Sequence, residues 1–197
     1  MLRKSEIKRV TAETDISLKL VLESAERSAV SSGVPFFDHM LEAMSRHGRF
    51  FIDLMCRGDT DRDDHHSVED IGICLGKGLK KALGDKTGIR RFGNAAVPMD
   101  DALAMTVVDL SGRGFFRYSG PDLRGLIGRY SEELTLEFLR ALASNAEMNL
   151  HVVVFYGENR HHIHEAVFKS AGVALYKACI IDEGFEREVP STKGVIV

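Results

Sequence analysis

Apolar and polar residues alternate over residues 16–22. Ile16, Leu18, Leu20 and Leu22 fall on one side and Ser17, Lys19 and Val21 on the other, a period of two that predicts a strand with one mostly apolar face. Gly33 and Pro35 break the pattern. Over 36–47 the spacing of Phe37, Met40, Leu41 and Met44 predicts a helix, 50–56 reads as a strand, and Val68, Ile71, Leu75 and Leu79 predict a helix over 65–83. A similar order returns further along. Residues 101–110 predict a strand with 115–118 as its hairpin partner, 130–143 a helix, 148–156 a strand around Val152-Val153-Val154-Phe155, and 161–181 a long helix carrying Ala166, Val167, Ala171, Ala174, Leu175 and Ala178.

Strand, helix, strand, helix thus occurs twice, and each final helix opens on the same motif. Moving the first motif along by 96 residues lays His65 on His161, His66 on His162 and Glu69 on Glu165, while the preceding strands superpose at a shift of 98. A motif recurring at one place in a repeated order of elements points to an internal duplication with a pseudo-twofold site. The expected fold is a single α+β domain of two similar halves, about 1–87 and 88–182, each a small sheet covered by helices, followed by a functional tail over 183–197.

The motif is His-His-x-x-Glu: His65-His66-Ser67-Val68-Glu69 and His161-His162-Ile163-His164-Glu165. Helical residues three or four apart face the same way, so His65 or His66 can share an ion with Glu69. Neighbouring residues are about 100° apart around the axis, so one ion cannot easily take both histidines of a pair. Paired histidines at two helix starts therefore predict two metals, each drawing on both motifs. Imidazole with carboxylate suits manganese, iron or zinc. Thiolates are missing from the set, which argues against a structural zinc site, and the order differs from the H-E-x-x-H of zinc proteases. His151 interrupts an apolar strand, where a buried imidazole needs a partner that a metal could supply. His39, at a helix start, has as its plain alternative a capping or core role. Lys169 falls two turns after His161 on the same face and can overlook the site.

Composition narrows the class. Hydrophobic residues make up 44% of the 197, enough for a core without staples, and a net charge of -3 lacks the basic excess of nucleic-acid-binding proteins. The three cysteines, Cys56, Cys74 and Cys179, form no C-x-x-C pair and read as small buried residues. Residues 1–13 are charged and carry no apolar run, so no signal peptide is expected, and no stretch of the chain is long and apolar enough to span a membrane. A cytoplasmic protein that binds neither nucleic acid nor membrane is the expectation. No glycine-rich phosphate loop is present, so nucleotide binding is unsupported.

Seven motifs in order resemble the imidazoleglycerol-phosphate dehydratase family across nearly the whole chain: PFFDHML (35–41), GDTDRDDHHSVED (58–70), RRFG (90–93), PMDDAL (98–103), DLSGRG (109–114), ENRHHIHEAVFKS (158–170) and STKG (191–194). The likeness is to the single-function form, without a phosphatase domain. It implies a lyase of histidine biosynthesis that converts imidazole glycerol phosphate to imidazole acetol phosphate with two manganese ions per subunit. The implied metal ligands are His39, His65, His66, Glu69, His151, His161, His162 and Glu165. Phosphate contacts would come from Arg91, Arg113, Lys169, Ser191 and Lys193, with Glu13 at the substrate and Glu165 or Glu13 moving the proton. The resemblance also implies self-association into a 24-subunit shell built from trimers, with metals at subunit contacts. Many members carry a histidine in the loop before the first motif, where this chain has Asp61 or Arg62. The metal motifs alone also allow a dinuclear hydrolase acting on a phosphate ester or peptide, and a metal-storage or scaffold protein is a third class. The STKG tail and the arginines favour a phosphorylated substrate kept intact, as a dehydratase requires.

Overall fold

The computed structural model describes residues 3–196; Met1, Leu2 and Val197, at the outer ends of the charged N-terminal stretch and of the tail, lie outside them. In the first half, β1 (Lys4–Val10) and β2 (Thr14–Val21) form an antiparallel hairpin, β4 (Phe51–Gly58) joins β2 antiparallel, and the short β3 (Ala29–Ser31) lies parallel on β4. The second half repeats this with β5 (Phe92–Met99), β6 (Ala102–Asp109), β10 (Asn149–Tyr156) and β7 (Phe115–Ser119), giving sheet orders β1-β2-β4-β3 and β5-β6-β10-β7. The helices are α1 (Pro35–His47) and α2 (His65–Leu83), then α3 (Leu134–Ala146) and α4 (Arg160–Cys179). One addition breaks the symmetry: a two-stranded ribbon, β8 (Leu126–Ile127) and β9 (Tyr130–Ser131), between β7 and α3.

Two expectations are corrected, and two strands had gone unread. The 115–118 strand is not the hairpin partner of β6; it runs parallel on β10, and β6 turns back from β5. Strands β1 and β5 did not stand out in the sequence. Both are edge strands with one face in water, so charged or small residues dilute their alternation, as in KSEIKRV and FGNAAVPM. The third helix begins at Leu134 rather than Tyr130, because Tyr130 and Ser131 are spent on the ribbon.

Each sheet turns its apolar face to the helices, and α1 packs on α4 while α2 packs on α3, so both halves share one core. Ile16, Leu18 and Leu20 of β2 and Ala102, Ala104 and Val108 of β6 are all buried on that face. The helix α4 is buried on most sides by small residues, Ala166, Ala171, Ala174 and Ala178 among them. Two glycines allow the closeness. A Cβ on Gly93 of β5 would stand 2.0 Å from the Ala174 carbonyl oxygen, and one on Gly172 of α4 would stand 2.2 Å from that of Met44 in α1. The second contact matters for function, because it sets α1 and its His39 directly against α4. Among the described residues, no helix is long and apolar enough to cross a membrane.

Candidate metal centre

Apart from His151 on β10, the histidines of interest lie in or next to the first turns of three helices. Pro35 opens α1, His39 follows one turn later, and the Asp38 carboxylate accepts the Ser32 N–H at 2.7 Å. The helix α2 opens on His65, whose N–H donates to Asp63 at 2.7 Å. The helix α4 opens on Arg160, and the Asn159 side chain caps the N–H groups of His161 (2.9 Å) and His162 (3.4 Å).

At the second motif, three groups converge. Glu165 Oε2 lies 3.2 Å from His161 Nε2 and 3.7 Å from His39 Nε2, and one ligand atom from each residue falls within 4.8 Å of the others. Among the described residues this is the one cluster of three or more metal-ligating side chains. Lys169 reaches the other carboxylate oxygen at 2.6 Å. Burial works to raise the Glu165 carboxyl, but the Lys169 ammonium and the His39 and His161 rings outweigh it and hold the group below the ordinary carboxylate value. A nearly buried, ionised carboxylate facing two imidazoles is a donor set suited to a divalent cation.

The second histidine of each pair turns to partners of its own, its ring centroid 6.2 Å from that of the first for His161 and His162 and 6.0 Å for His65 and His66. His66 presents Nδ1 to Asp59 at 3.2 Å, with Nε2 3.5 Å from Glu13. His162 presents Nδ1 to Asp101 at 2.5 Å, with Nε2 3.6 Å from Asp100. Both second histidines therefore reach a carboxylate in the hairpin turn of their own sheet. A carboxylate on Nδ1 fixes the tautomer and leaves the Nε2 lone pair for a metal. Asp59 also pushes the His66 pKa up, and the Asn159 N–H, the His162 ring and the Glu158 N–H hold Asp101 far below its usual value. Asp59, Asp100 and Asp101 were not singled out from the sequence, although all three lie in motifs quoted above.

The first motif is open. His65 Nε2 is 3.6 Å from Glu69 Oε2, both side chains are 45% exposed, and no third donor joins them among the described residues. His151 is exposed on the outer face of the second sheet beside Phe115, and it too joins no cluster. The buried partner expected for it is not needed.

A cavity of about 550 Å3 adjoins the closed cluster; His39, Glu165, Lys169, Arg27, Arg46 and His47 are among its walls. Of the five phosphate candidates only Lys169 lines it. Arg91, at φ +68°, is held by Asp109 (2.7 and 3.3 Å) and donates to the Pro190 carbonyl at 2.9 Å, which ties the root of the tail to β6. Ser191 and Lys193 follow in that tail, and Arg113 is exposed beyond the end of β6. Arg27 and Arg46, also missed from the sequence, add positive charge to the cavity wall; an arginine closing a helix gave no distinguishing signal.

Comparison with known proteins decides what this arrangement belongs to. The sequence profile described as imidazoleglycerol-phosphate dehydratase matches residues 32–175. The chain belongs to the imidazoleglycerol-phosphate dehydratase family. It is 53% identical over 196 residues to the imidazoleglycerol-phosphate dehydratase of Leptospira biflexa, covering 100% of both chains, and 53% identical to that of Desulforudis audaxviator, covering 100% of this chain and 99% of the other. Among solved structures, the Staphylococcus aureus enzyme superposes with a TM-score of 0.82 at 32% identity, over 91% of this chain and 99% of that one. The Pyrococcus furiosus enzyme, solved in complex with (S)-C348, gives 0.82 at 34% identity over 96% and 99%. Membership makes the chain a hydro-lyase of histidine biosynthesis with the α+β fold of the family.

Proposed function

We propose that the chain is a manganese-dependent dehydratase that removes water from imidazole glycerol phosphate to give imidazole acetol phosphate, acting in the cytoplasm. The observation that carries the metal dependence is the convergence of His39, His161 and Glu165, a buried ionised carboxylate between two imidazoles. These residues fit a manganese ion. His162 and His66, oriented through Nδ1 by Asp101 and Asp59, offer further nitrogen ligands, and His65, Glu69 and His151 complete the proposed set of two ions per subunit. Manganese, when bound, supplies a Lewis acid for the imidazole ring of the substrate.

The chain's own residues have separable tasks. Lys169, with Arg27 and Arg46 on the cavity wall, draws an anionic substrate toward the cluster; Arg91, Arg113, Ser191 and Lys193 stand as the phosphate clamp of the assembled enzyme. The proton must leave a carbon next to the imidazole, and Glu13 and Glu165 are the two carboxylates proposed to move it. Glu165 is occupied by Lys169, His161 and His39, which suits a ligand. Glu13 is half-exposed, sits in a turn, and has only His66 Nε2 near it, at 3.5 Å, which suits a proton carrier.

The open first motif and the unpartnered His151 support a site shared between copies of the chain, in a 24-subunit shell built from trimers. An ion that binds only the assembled form stabilises it by mass action. Light scattering tests this: removing metal with EDTA should convert a large shell to small oligomers, and manganese should restore it. An unchanged mass after verified metal loss would show that protein contacts alone hold the assembly. Turnover of imidazole glycerol phosphate by the chelated protein, with and without added manganese, tests the metal dependence itself.

A further inference from the structure

The ribbon β8–β9 has no counterpart in the first half: residues 120–133 lie between β7 and α3, where the first half has only 32–34 between β3 and α1. Three residues in and beside its second strand, Arg129, Tyr130 and Glu132, touch, directly or through one neighbour, the starts of all three helices that carry the histidine ligands. Arg129 donates to the Gly33 carbonyl at 2.7 Å, just ahead of α1, and its guanidinium lies 3.4 Å from Asp64, the residue that precedes α2. Tyr130, fully buried, packs 5.0 Å from the Phe36 ring, and Phe36 in turn presents an edge to His161 at 5.3 Å. Glu132, 1% exposed in its side chain, takes Arg160 in a two-point ion pair (2.5 and 2.6 Å), and Arg160 is the first residue of α4.

The grip on α4 is the strongest of the three. A buried carboxylate is tolerated only when its charge is met, and the Arg160 fork meets it with paired hydrogen bonds. The ribbon holds Glu132 in place from the other side, through its N–H to the Gly125 carbonyl at 3.0 Å. Arg160 also donates to the Asp122 carbonyl at 2.7 Å, so it spans the base of the ribbon. Thr135, one helical step further, bonds both the Tyr130 hydroxyl (2.9 Å) and His164 Nδ1 (2.8 Å), which locks the next turn of α4 to the same unit.

We infer that the β8–β9 ribbon is the keystone of the metal centre: Arg129, Tyr130 and Glu132 are positioning residues that fix the starts of α1, α2 and α4 relative to one another. The inference rests on the metal reading proposed above, but the placement it describes exists without the metal. Ligand atoms need placement within a few tenths of an ångström, and residues behind the ligands commonly control metal affinity by about ten- to a hundredfold.

The test uses the chelated full-length protein and its Glu132→Gln and Arg129→Gln variants, with two readouts. Hydrogen exchange of the metal-free proteins should show faster exchange in the first turn of α4 for Glu132→Gln and at the starts of α1 and α2 for Arg129→Gln. Titration with manganese alone, following the free ion by paramagnetic resonance, should show about tenfold weaker binding for Glu132→Gln and a smaller loss for Arg129→Gln. Arg129 is a largely exposed side chain, so its variant keeps the question answerable if Glu132→Gln does not fold. A lowered melting temperature with unchanged manganese affinity would make the ribbon a stability element only and overturn the inference. Unchanged exchange at the helix starts would overturn it as well. A wild-type chain that binds no manganese overturns the metal reading instead, while the exchange pattern still decides whether the ribbon fixes the helix starts.

Discussion

The two copies of His-His-x-x-Glu begin alike and end differently. On α4, the copy is closed: His161 and Glu165 meet His39 from the other half, and Lys169 neutralises the carboxylate. On α2, His65 and Glu69 face solvent as a pair. The shift that superposes the motifs puts Ile73 where Lys169 stands, and the shift of 98 that superposes the strands puts Glu137, which pairs with Arg140, where His39 stands. A duplicated scaffold has kept the ligand pair twice and built its supporting residues once. The open copy can be completed by groups from outside the chain; the closed copy has its third donor already.

The largest effect should come from removing the carboxylate of the closed copy. Glu165→Gln keeps the shape but takes away the charge between two imidazoles and a lysine, and turnover should fall about 10³-fold with manganese binding weakened in parallel. Steady-state kinetics and manganese titration check this. If the variant retains both, the closed cluster is not the metal centre. Glu13→Gln separates the roles: it should lower turnover about 10²- to 10³-fold while manganese binds as before.

The next difference is at the position after the second motif histidine plus two. Val68 is buried in the first copy and His164 in the second. Burial pushes His164 down to about 4, against an ordinary 6.5, with Glu132 opposing that shift. The folded-state value is the lower one, so the unfolded chain binds the extra proton first as pH falls. The contribution to stability is therefore full above about pH 6.5, declines as pH falls and levels off below about pH 4, a change of about 3 kcal/mol. His164→Val, which copies the first motif, should flatten this slope in denaturant melts of the metal-free protein. A wild-type slope in the variant would assign the acid sensitivity to other groups.

Gly172 tests how the closed copy is assembled. Its missing Cβ lets α1 approach α4 and bring His39 to Glu165. Gly172→Ala should force the helices apart at a cost of about 1–3 kcal/mol and weaken manganese binding along with it. A loss of stability without any change in metal affinity would mean that the approach serves packing alone.

How much of this the chain declared in advance follows from the strength of each local signal. The helices α1 and α2 and the strands β2, β4, β6 and β10 have one buried face, and burial enforces a regular period, while α4, buried on most sides, showed as a long run of small apolar residues. The edge strands β1 and β5 also alternate, but few large apolar residues mark their covered face, Ile7 alone in β1, and the signal is lost. The β7 pairing could not be read, because a strand's partner depends on where the chain returns and not on its own residues. Ligand candidates were legible from i, i+4 spacing on a helix, and the splay of each His-His pair follows from helix geometry alone. The carboxylates that orient His66 and His162 were not, since Asp59 and Asp101 approach from loops and turns whose placement only the sheets determine.

The smallest expected effect concerns the tail, which follows only the second half. Its root is well held: Arg91, locked by Asp109, donates to the Pro190 carbonyl, and the Gly88 N–H donates to the Glu188 carbonyl. Beyond Pro190 the described residues are mostly exposed, polar over 191–194 and apolar at Val195 and Ile196, with the short turn from Ser191 to Gly194 to order them. Cutting after Pro190 therefore removes Ser191 and Lys193 but leaves the acceptor for Arg91, and the fold should survive with its melting temperature within a few degrees of the full chain. If Lys193 holds the substrate phosphate, KM should rise about tenfold, the loss of one charge-assisted contact worth about 1.4 kcal/mol. The fall in kcat should be smaller, because the metal ligands and Glu13 are untouched. Unchanged KM in the truncated chain would remove the tail from the phosphate site and leave the clamp to Arg91, Arg113 and the cations of the His39 cavity. A large fall in kcat at unchanged KM would instead mean that the tail acts at the reacting carbon, where remote binding energy is converted into orientation.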